Sequence, residues 1–177
     1  MTREAASGSI VWLTGLPASG KTTLAERTRA ALAGDGRAAV VLDSDALRDV
    51  LGAHGYAAGA RDDFYRALAD LAALLAAQAV IVLVAATAPR RAHRDRARQS
   101  GHRFLEVWVR TPRADCEARD VKGLYARARA GEITELPGVG APFEPPDDAG
   151  VIADGGHDAT AVDRICRWLR AGGSATG

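Results

Sequence analysis

The chain has 177 residues, of which 47% are apolar and 25% charged, and this balance predicts one soluble globular domain with its own core. Its formal net charge of +1 gives no sign of the basic surface that nucleic acid or an anionic membrane would require. The N-terminal stretch MTREAASG lacks the apolar region of a secretory signal, so we expect a cytoplasmic protein without membrane or nucleic-acid partners.

Apolar runs alternate with helical patterns along the chain. Short apolar runs predict strands over 9–15, 37–43, 79–87, 102–110 and 150–154. Amphipathic or polar stretches bounded by Gly and Pro predict helices over 21–36, 60–78, 89–101, 112–120 and 160–170. This alternation predicts an α/β fold with a mostly parallel five-stranded sheet and helices on both faces. One domain is expected over residues 9–170, between flexible ends at 1–8 and 171–177.

In such a sheet ligands gather at the carboxyl ends of the strands, so the chemistry is expected in the loops that follow them. Those loops come after Leu13, Leu42, Ala86, Arg110 and Ala153. The two cysteines, Cys116 and Cys166, fit no metal-ligand spacing and are expected to be reduced structural thiols. The histidines fit no zinc motif and are expected at the surface or in turns; they are His54, His93, His102 and His157.

The stretch GLPASGKT, residues 15–22, fits the pattern G-x-x-x-x-G-K-S/T between a predicted strand and a predicted helix. Its glycines let successive backbone N–H groups face one anion, and the helix N-terminus adds favourable partial charge. Lys21 can reach the outer phosphates, and the Thr22 hydroxyl can ligate Mg²⁺. The predicted phosphate-binding residues are Gly15, Leu16, Pro17, Ala18, Ser19, Gly20, Lys21, Thr22 and Thr23.

Two kinds of phosphate-binding protein are disfavoured. The chain contains no Asn, whereas a GTP switch reads guanine with an Asn-Lys-x-Asp element. The third strand has no terminal acid, which motor and transporter ATPases usually carry. The acids instead follow the second strand, where Asp43 and Asp45 lie two residues apart.

Asp43 and Asp45 share a face if the chain is still extended there. One would then orient the phosphate loop or the water shell of Mg²⁺, and the other would accept a proton from an attacking hydroxyl. Asp43 or Ser44 is also a candidate helix N-cap. We predict that Asp45 is the carboxylate that accepts the proton of the attacking hydroxyl. Arg48 lies on the same helical side as Asp45 and offers a fork-shaped contact to an anionic acceptor.

Five blocks in order resemble the adenylylsulfate kinase (APS kinase) family, which transfers the γ-phosphoryl group of ATP to the 3′-hydroxyl of adenylyl sulfate using Mg²⁺. The blocks are WLTGLPASGKTTLA, LDSDALR, PRRAHRDRAR, FLEVWVRTPRADCEARDVKGLYARARAGEI and PFEPP. The resemblance implies a P-loop kinase-type three-layer sandwich with a mobile lid over about residues 120–146. It also implies a homodimer and a place in sulfate assimilation.

The same resemblance implies roles by position. Asp45 and Lys21 are the implied catalytic residues, and Thr22 and Asp45 are the implied Mg²⁺ ligands. The adenine of ATP is expected near Arg119. The resemblance places Arg48 and Arg61 at the acceptor and Lys122, Gly123 and Leu124 at the start of the lid over it. Further candidate acceptor-binding residues are Asp43, Tyr56 and Phe64. If the chain is a kinase, Lys122, Arg127 and Arg129 are lid cations that would offset the charge of the transferred group, although the two arginines also fit a solvated helix face.

The chain departs from the family pattern at several acceptor positions. Ala46 and Phe64 stand where the family has Asn, Ala86 and Leu136 where it has Phe, and Ala88 where it has a Ser proposed as a phosphorylated intermediate. Because alanine cannot be phosphorylated, Ala88 excludes a phosphorylated intermediate at this position. Direct in-line transfer of the phosphoryl group is then expected. Tyr56 and Phe64 either rebuild an aromatic stack on adenine or belong to the core. These departures also fit a kinase for another small anionic hydroxyl compound, or a nucleotide-binding protein without kinase activity.

One arginine-rich stretch is expected to be solvated helix surface rather than a binding site. It comprises Arg90, Arg91, Arg94, Arg96 and Arg98. Only Arg91 matches a family position that faces the site.

Overall fold

The computed structural model describes residues 8–53, 58–120 and 122–171, which form five strands and seven helices. The strands are β1 (Ser9–Thr14), β2 (Ala39–Asp43), β3 (Ile81–Ala85), β4 (Arg103–Val109) and β5 (Val151–Ala153). The helices are α1 (Lys21–Gly34), α2 (Ser44–Leu51), α3 (Ala58–Ala76), α4 (Arg91–Arg98), α5 (Arg113–Arg119), α6 (Leu124–Arg129) and α7 (Ala159–Ala171).

All five strands are parallel and follow the order β2-β3-β1-β4-β5. Leu13 pairs with Ala85 on one side and with Val107 on the other, while Asp43 pairs with Ala85. The carboxyl ends of β1, β2 and β3 are therefore level at one edge of the sheet. The predicted α/β fold is confirmed, and the sheet is parallel throughout.

Alternate residues of each strand enter two separate cores. One face packs under α1 and α7, and its strand residues include Val11, Leu13, Leu83 and Val107. The other face packs under α3 and α4, and its strand residues include Ile10, Trp12, Val82 and Val84. Because both faces are covered, every residue of β1 and β3 is buried, as their continuous apolar runs predict.

Helix α2 begins directly after β2, so the chain is not extended between Asp43 and Asp45. Asp43 keeps an extended backbone and caps the helix, because its side chain accepts hydrogen bonds from the Asp45 and Ala46 N–H groups. Asp45 therefore lies in the first turn of α2, where its charge is favourable to the helix dipole. The condition for a shared strand face is therefore not met, and the alternative of Asp43 as a helix N-cap is correct.

Two residues expected at the surface are buried. The Arg94 side chain is 1% exposed and bonds Glu106 of β4. The His93 side chain is 6% exposed and bonds Asp62 of α3. Both expectations were wrong because composition does not show which face of α4 meets the sheet; that face carries His93, Arg94 and Ala97.

The predicted lid, residues 120–146, is called the lid segment below. Its described residues include α6 and a bridge between Pro137 and Ala141. Tyr125 and Leu136 are buried together with Cys116 of α5, in a small cluster against which Leu16 and Ala18 of the phosphate loop also pack. The lid segment therefore covers one side of the phosphate loop; its mobility stays a prediction.

Among the described residues, no helix is long and apolar enough to cross a membrane. Both cysteines are buried and neither forms a disulfide.

Leu83→Ala should lower the free energy of unfolding by about 3 kcal/mol, because it opens a cavity in the middle of a strand that is covered on both faces. Leu74→Ala removes the same atoms from a side chain that is 60% exposed. It should change the free energy of unfolding by less than about 0.5 kcal/mol. Urea unfolding of both variants measures the difference. Equal losses at the two positions would contradict the arrangement of the core.

Candidate active site

The phosphate loop, residues 15–22, connects β1 to α1 and is fixed by hydrogen bonds to its carbonyl groups. The Tyr125 hydroxyl donates to the Pro17 carbonyl at 3.0 Å, and the Thr111 hydroxyl donates to the Ser19 carbonyl at 2.7 Å. Gly20 has φ 99°, and a Cβ there would lie 2.6 Å from the Gly156 nitrogen. Only glycine combines that backbone conformation with so close an approach, so the motif glycine is required by the packing of the loop.

Lys21 points back into the loop. Its Nζ donates to the Gly15 carbonyl at 3.1 Å and to the Leu16 carbonyl at 2.8 Å. Burial lowers the pKa of Lys21 to about 8, and the nearby charges of Asp45 and Asp43 oppose this shift only in part. The ammonium therefore lies at the loop and has lost part of its hydration. An anion bound there would stabilise its positive charge.

Asp43 joins the phosphate loop to α2. Its Oδ2 accepts a hydrogen bond from the Thr22 hydroxyl at 2.5 Å. Its Oδ1 accepts from the backbone N–H groups of Asp45 at 2.9 Å and Ala46 at 3.0 Å. One carboxylate thus fixes the distance between Thr22, at the start of α1, and Asp45, at the start of α2.

Asp45 and Lys122 form an ion pair between α2 and the lid segment. Lys122 Nζ lies 2.6 Å from Asp45 Oδ2, and both side chains are about 60% exposed. Burial alone would lower the pKa of Lys122, but the hydrogen bond and charge of Asp45 raise it. The pair brings together two predicted site residues that are 77 positions apart in the chain.

Arg48 and Arg61 are also held in place by neighbours. Arg48 Nη1 donates to the Ala53 carbonyl at 3.1 Å, and its guanidinium carbon lies 3.8 Å from the centre of the Phe64 ring. Arg61 Nη2 donates to the Glu135 carbonyl at 3.3 Å and lies 3.5 Å from the Glu135 carboxylate. Phe64 is 7% exposed, so it is a core residue that presents its ring to Arg48.

The remaining predicted residues occupy different surroundings. Gly123 precedes α6 with φ 63°, and Leu124 packs on the cluster of Tyr125 and Leu136. Arg119 is exposed at the end of α5. Tyr56 and His54 lie outside the described residues.

The two other predicted lid cations bond within the lid segment. Arg127 pairs with Glu132 at 3.0 Å, and Arg129 Nε donates to the Tyr125 carbonyl at 3.4 Å. Among these three lid cations, Lys122 is the one that bonds a predicted catalytic residue, Asp45.

The alanines at diverged positions differ in exposure. Ala86 and Ala88 are fully buried in the core under α3 and α4, whereas Ala46 is exposed on α2. Leu136 is buried against Tyr125 and Cys116, so in this structure it supports the phosphate loop instead of an acceptor cleft.

Sequence reasoning missed several residues that organise the site. Tyr125 bonds the phosphate loop, and burial raises its pKa, which keeps the phenol protonated as a donor. Asp120 accepts the Tyr125 and Ala126 N–H groups at 3.0 and 2.9 Å and so fixes the start of α6 just beyond Lys122. The aspartate in DVKGLY was a usable signal, since Asp near the start of a helix commonly caps it.

His93 and Asp62 were missed as well. His93 Nδ1 accepts the Arg90 N–H at 3.3 Å, so in the neutral ring Nε2 carries the proton and donates to Asp62 Oδ1 at 2.8 Å. Burial lowers the pKa of His93, while the hydrogen bond from His93 lowers the pKa of Asp62. The pair ties the start of α4 to α3 beneath the loop that follows β3.

Comparisons with known proteins agree on one family. The family model for adenylylsulphate kinase matches residues 7–154. The adenylyl-sulfate kinase of Paraburkholderia xenovorans is 41% identical over 98% of this chain and 99% of its own length. That of Microcystis aeruginosa is 44% identical over 78% of this chain and 77% of its own length.

A solved structure shows the same likeness. The APS kinase CysC of Mycobacterium tuberculosis, in complex with AMPPNP and APS, superposes with a TM-score of 0.84 at 38% identity. The match covers 93% of this chain and 98% of that one.

The difference in pKa between the chain's two lysines, Lys21 and Lys122, can be measured directly. With lysine labelled with ¹³C at the ε carbon, one resonance should titrate near pH 8 and the other above its ordinary range, because only the Lys21 ammonium is buried among carbonyls. Lys122→Arg should remove the second resonance and leave the first. Two midpoints above pH 10 would contradict the buried position of Lys21.

Proposed function

Since the chain belongs to the adenylylsulfate kinase family, we propose that it transfers the γ-phosphoryl group of ATP to the 3′-hydroxyl of adenylyl sulfate. The relatives carry this activity in their names, and the structural relative was solved with a nucleotide analogue and APS. The predicted kinase chemistry and P-loop motif are confirmed at the level of the family. The individual residue roles below are proposals.

The observation that carries the proposal is a continuous set of contacts from the phosphate loop to the lid segment. Thr22 bonds Asp43, Asp43 bonds the backbone of Asp45, and Asp45 bonds Lys122. A protein that only bound a nucleotide would need the first residues of this series. The carboxylate and ammonium at its far end are the groups that transfer to a hydroxyl requires.

ATP would be held by the predicted loop residues, Gly15 through Thr23, with Lys21 at the outer phosphates. Lys21 is well suited because its ammonium is already at the loop and partly desolvated, which strengthens its attraction to a phosphate oxygen. Arg119, exposed at the end of α5, is proposed beside the adenine of ATP.

The acceptor is proposed to lie on the side of Asp45 that faces the lid segment. Arg48 and Arg61 supply positive charge there, and Lys122, Gly123 and Leu124 supply the adjoining lid backbone and ammonium. An anionic acceptor would draw Lys122 away from Asp45, because both compete for the same ammonium. Asp45 would then be available to the acceptor hydroxyl.

Transfer would proceed in one step. The hydroxyl oxygen attacks the γ-phosphorus, and its bond to phosphorus forms as the bond from that phosphorus to the bridging β,γ-oxygen breaks. The hydroxyl proton passes to the Asp45 carboxylate, and ADP leaves with the bridging oxygen. Ala88 is buried and carries no nucleophilic atom, which supports direct transfer without a phosphorylated residue at that position.

The residues at the loop fit Mg²⁺. The Thr22 hydroxyl and the Asp43 carboxylate are 2.5 Å apart and Asp45 follows, so hard oxygen donors cluster where the phosphates would lie. We propose Thr22 and Asp45 as the protein ligands and Asp43 as the group that orients them. When bound, the ion would offset the negative charge of the phosphates during transfer.

The implied homodimer and cytoplasmic location stay predictions. Light scattering on the purified chain measures the first, and fractionation of the source cells measures the second.

Asp45→Asn should lower kcat with adenylyl sulfate at least about 100-fold, because the amide cannot accept the hydroxyl proton. A coupled assay of ADP release measures it. Asp49→Asn changes an exposed aspartate one turn further along α2 and should keep near-wild-type turnover.

The same assay with a panel of phosphorylated or sulfated alcohols defines the acceptor. If Asp45→Asn retains full turnover on the best acceptor, the assignment of the base is wrong. If no acceptor raises ADP release above background, the proposed function fails.

Thr22→Val should raise the Mg²⁺ concentration for half-maximal activity at least about tenfold, a loss typical even of groups outside the first ligand shell. It removes both the proposed ligand and the donor to Asp43. Thr22→Ser keeps the hydroxyl and should stay close to wild type. Equal Mg²⁺ dependence in the Val and Ser variants would remove Thr22 from the metal site.

A further inference from the structure

The buried Arg94 connects three parts of the chain: β4, the loop after β3 and the lid segment. Its Nε donates to Glu106 Oε1 of β4 at 2.5 Å, its Nη1 to the Ala88 carbonyl at 2.6 Å, and its Nη2 to the Glu144 carbonyl at 2.8 Å. Ala88 belongs to the loop after β3, and Glu144 belongs to the end of the lid segment. A single guanidinium therefore holds the loop and the lid segment to the sheet.

Glu106 makes this burial of charge possible. Its side chain is 4% exposed, and its second carboxylate oxygen accepts a hydrogen bond from Arg98. A buried arginine without an acid partner would be strongly unfavourable, whereas this pair is fully hydrogen-bonded. The charge of Arg94 is thus balanced by Glu106, and its other two bonds are made to backbone carbonyls.

Glu144 completes the connection from the lid side. Its N–H donates to the Pro89 carbonyl at 2.8 Å, and its carboxylate accepts the Arg91 N–H at the start of α4, at 2.7 Å. Glu144 thus bonds the loop after β3 through its amide, and it bonds α4 through its carbonyl and its side chain. The opposite end of the lid segment is held differently: Tyr125 donates to the Pro17 carbonyl of the phosphate loop, and Lys122 meets Asp45 through exposed side chains.

The backbone of Ala88 shows why the loop after β3 needs the hydrogen bond from Arg94. Its φ is 39°, a backbone conformation that costs an alanine free energy and persists only where surrounding contacts enforce it. The bond from Arg94 to its carbonyl is such a contact. The path of the loop, and with it the place of Arg91, depends on that bond.

We propose that Arg94 is a positioning residue for the acceptor: it fixes the loop after β3 and the C-terminal end of the lid segment to each other, and this tether orders the acceptor side of the site. This inference rests on the proposed function for its effect on catalysis. Its structural part, the tether through Ala88 and Glu144, does not.

Arg94→Lys is the sharpest test. A lysine keeps the charge beside Glu106 but lacks the planar fork that reaches three acceptors at once. The KM for adenylyl sulfate should rise about tenfold, while the KM for ATP should change less than about twofold, because ordering of the acceptor side is lost and the phosphate loop keeps its own contacts.

Arg96→Lys is the matched control. It makes the same change on the same helix, at a side chain that is 48% exposed and pairs with Asp70 of α3. The KM for adenylyl sulfate should therefore stay near that of wild type. Equal rises in that KM for Arg94→Lys and Arg96→Lys would show a general loss of packing in α4 and overturn the proposal.

Amide hydrogen exchange tests the tether independently of turnover. In Arg94→Lys the Glu144 and Arg91 amides should exchange about tenfold faster, whereas the Tyr125 amide, bonded to Asp120, should not change. Unchanged exchange at Glu144 and Arg91 overturns the proposal. An inactive wild-type enzyme with faster exchange in the variant would instead count against the proposed function alone.

Discussion

The Asp43 carboxylate accepts hydrogen bonds from the beginnings of two helices, and the arrangement of the site depends on them. Thr22 at the start of α1 and the first turn of α2 share this one acceptor. The strand register makes the contact possible, because Asp43 and Leu13 both pair with Ala85 and thus end level with each other. A slip of either strand by one residue would reverse its buried face and separate Thr22 from its acceptor. Core packing therefore sets the distance between the phosphate loop and Asp45.

The charged groups on the acceptor side already have partners within the chain. Lys122 bonds Asp45, Arg61 bonds Glu135, and Arg48 bonds the Ala53 carbonyl. An anionic acceptor would exchange these contacts for its own instead of meeting solvated cations. Such an exchange would gain less free energy than the new contacts suggest, but it would disfavour neutral compounds, which cannot replace the lost partner. In the proposed mechanism, the ion pair between Lys122 and Asp45 would keep the base paired until a negatively charged acceptor takes its place.

The sequence allowed the fold and the phosphate-binding half of the site to be predicted, because both depend on local patterns. Alternating apolar runs indicated the sheet, and the glycine spacing with Lys21 and Thr22 indicated the loop. The buried position of Arg94 and its three hydrogen bonds were not predicted. A run of arginines on a short polar helix is usually solvated, and which face of the helix turns inward depends on tertiary packing. A signal did exist in FLEVWV, where Glu106 interrupts a buried strand. A carboxylate there requires a cation, and the preceding helix holds several.

The divergence at Phe64 has a physical account in the structure. Where the family has Asn, this chain has a ring that lies beneath the Arg48 guanidinium at 3.8 Å, and Phe64 is buried with Tyr65 in the core under α3. An amide at this place would hold the acceptor or the arginine by hydrogen bonds, whereas the ring holds the arginine by its quadrupole, an interaction of about 0.5–2 kcal/mol. The substitution thus changes how Arg48 is supported while it keeps the positive charge at the acceptor side, which is why loss of the Asn is compatible with an anionic acceptor.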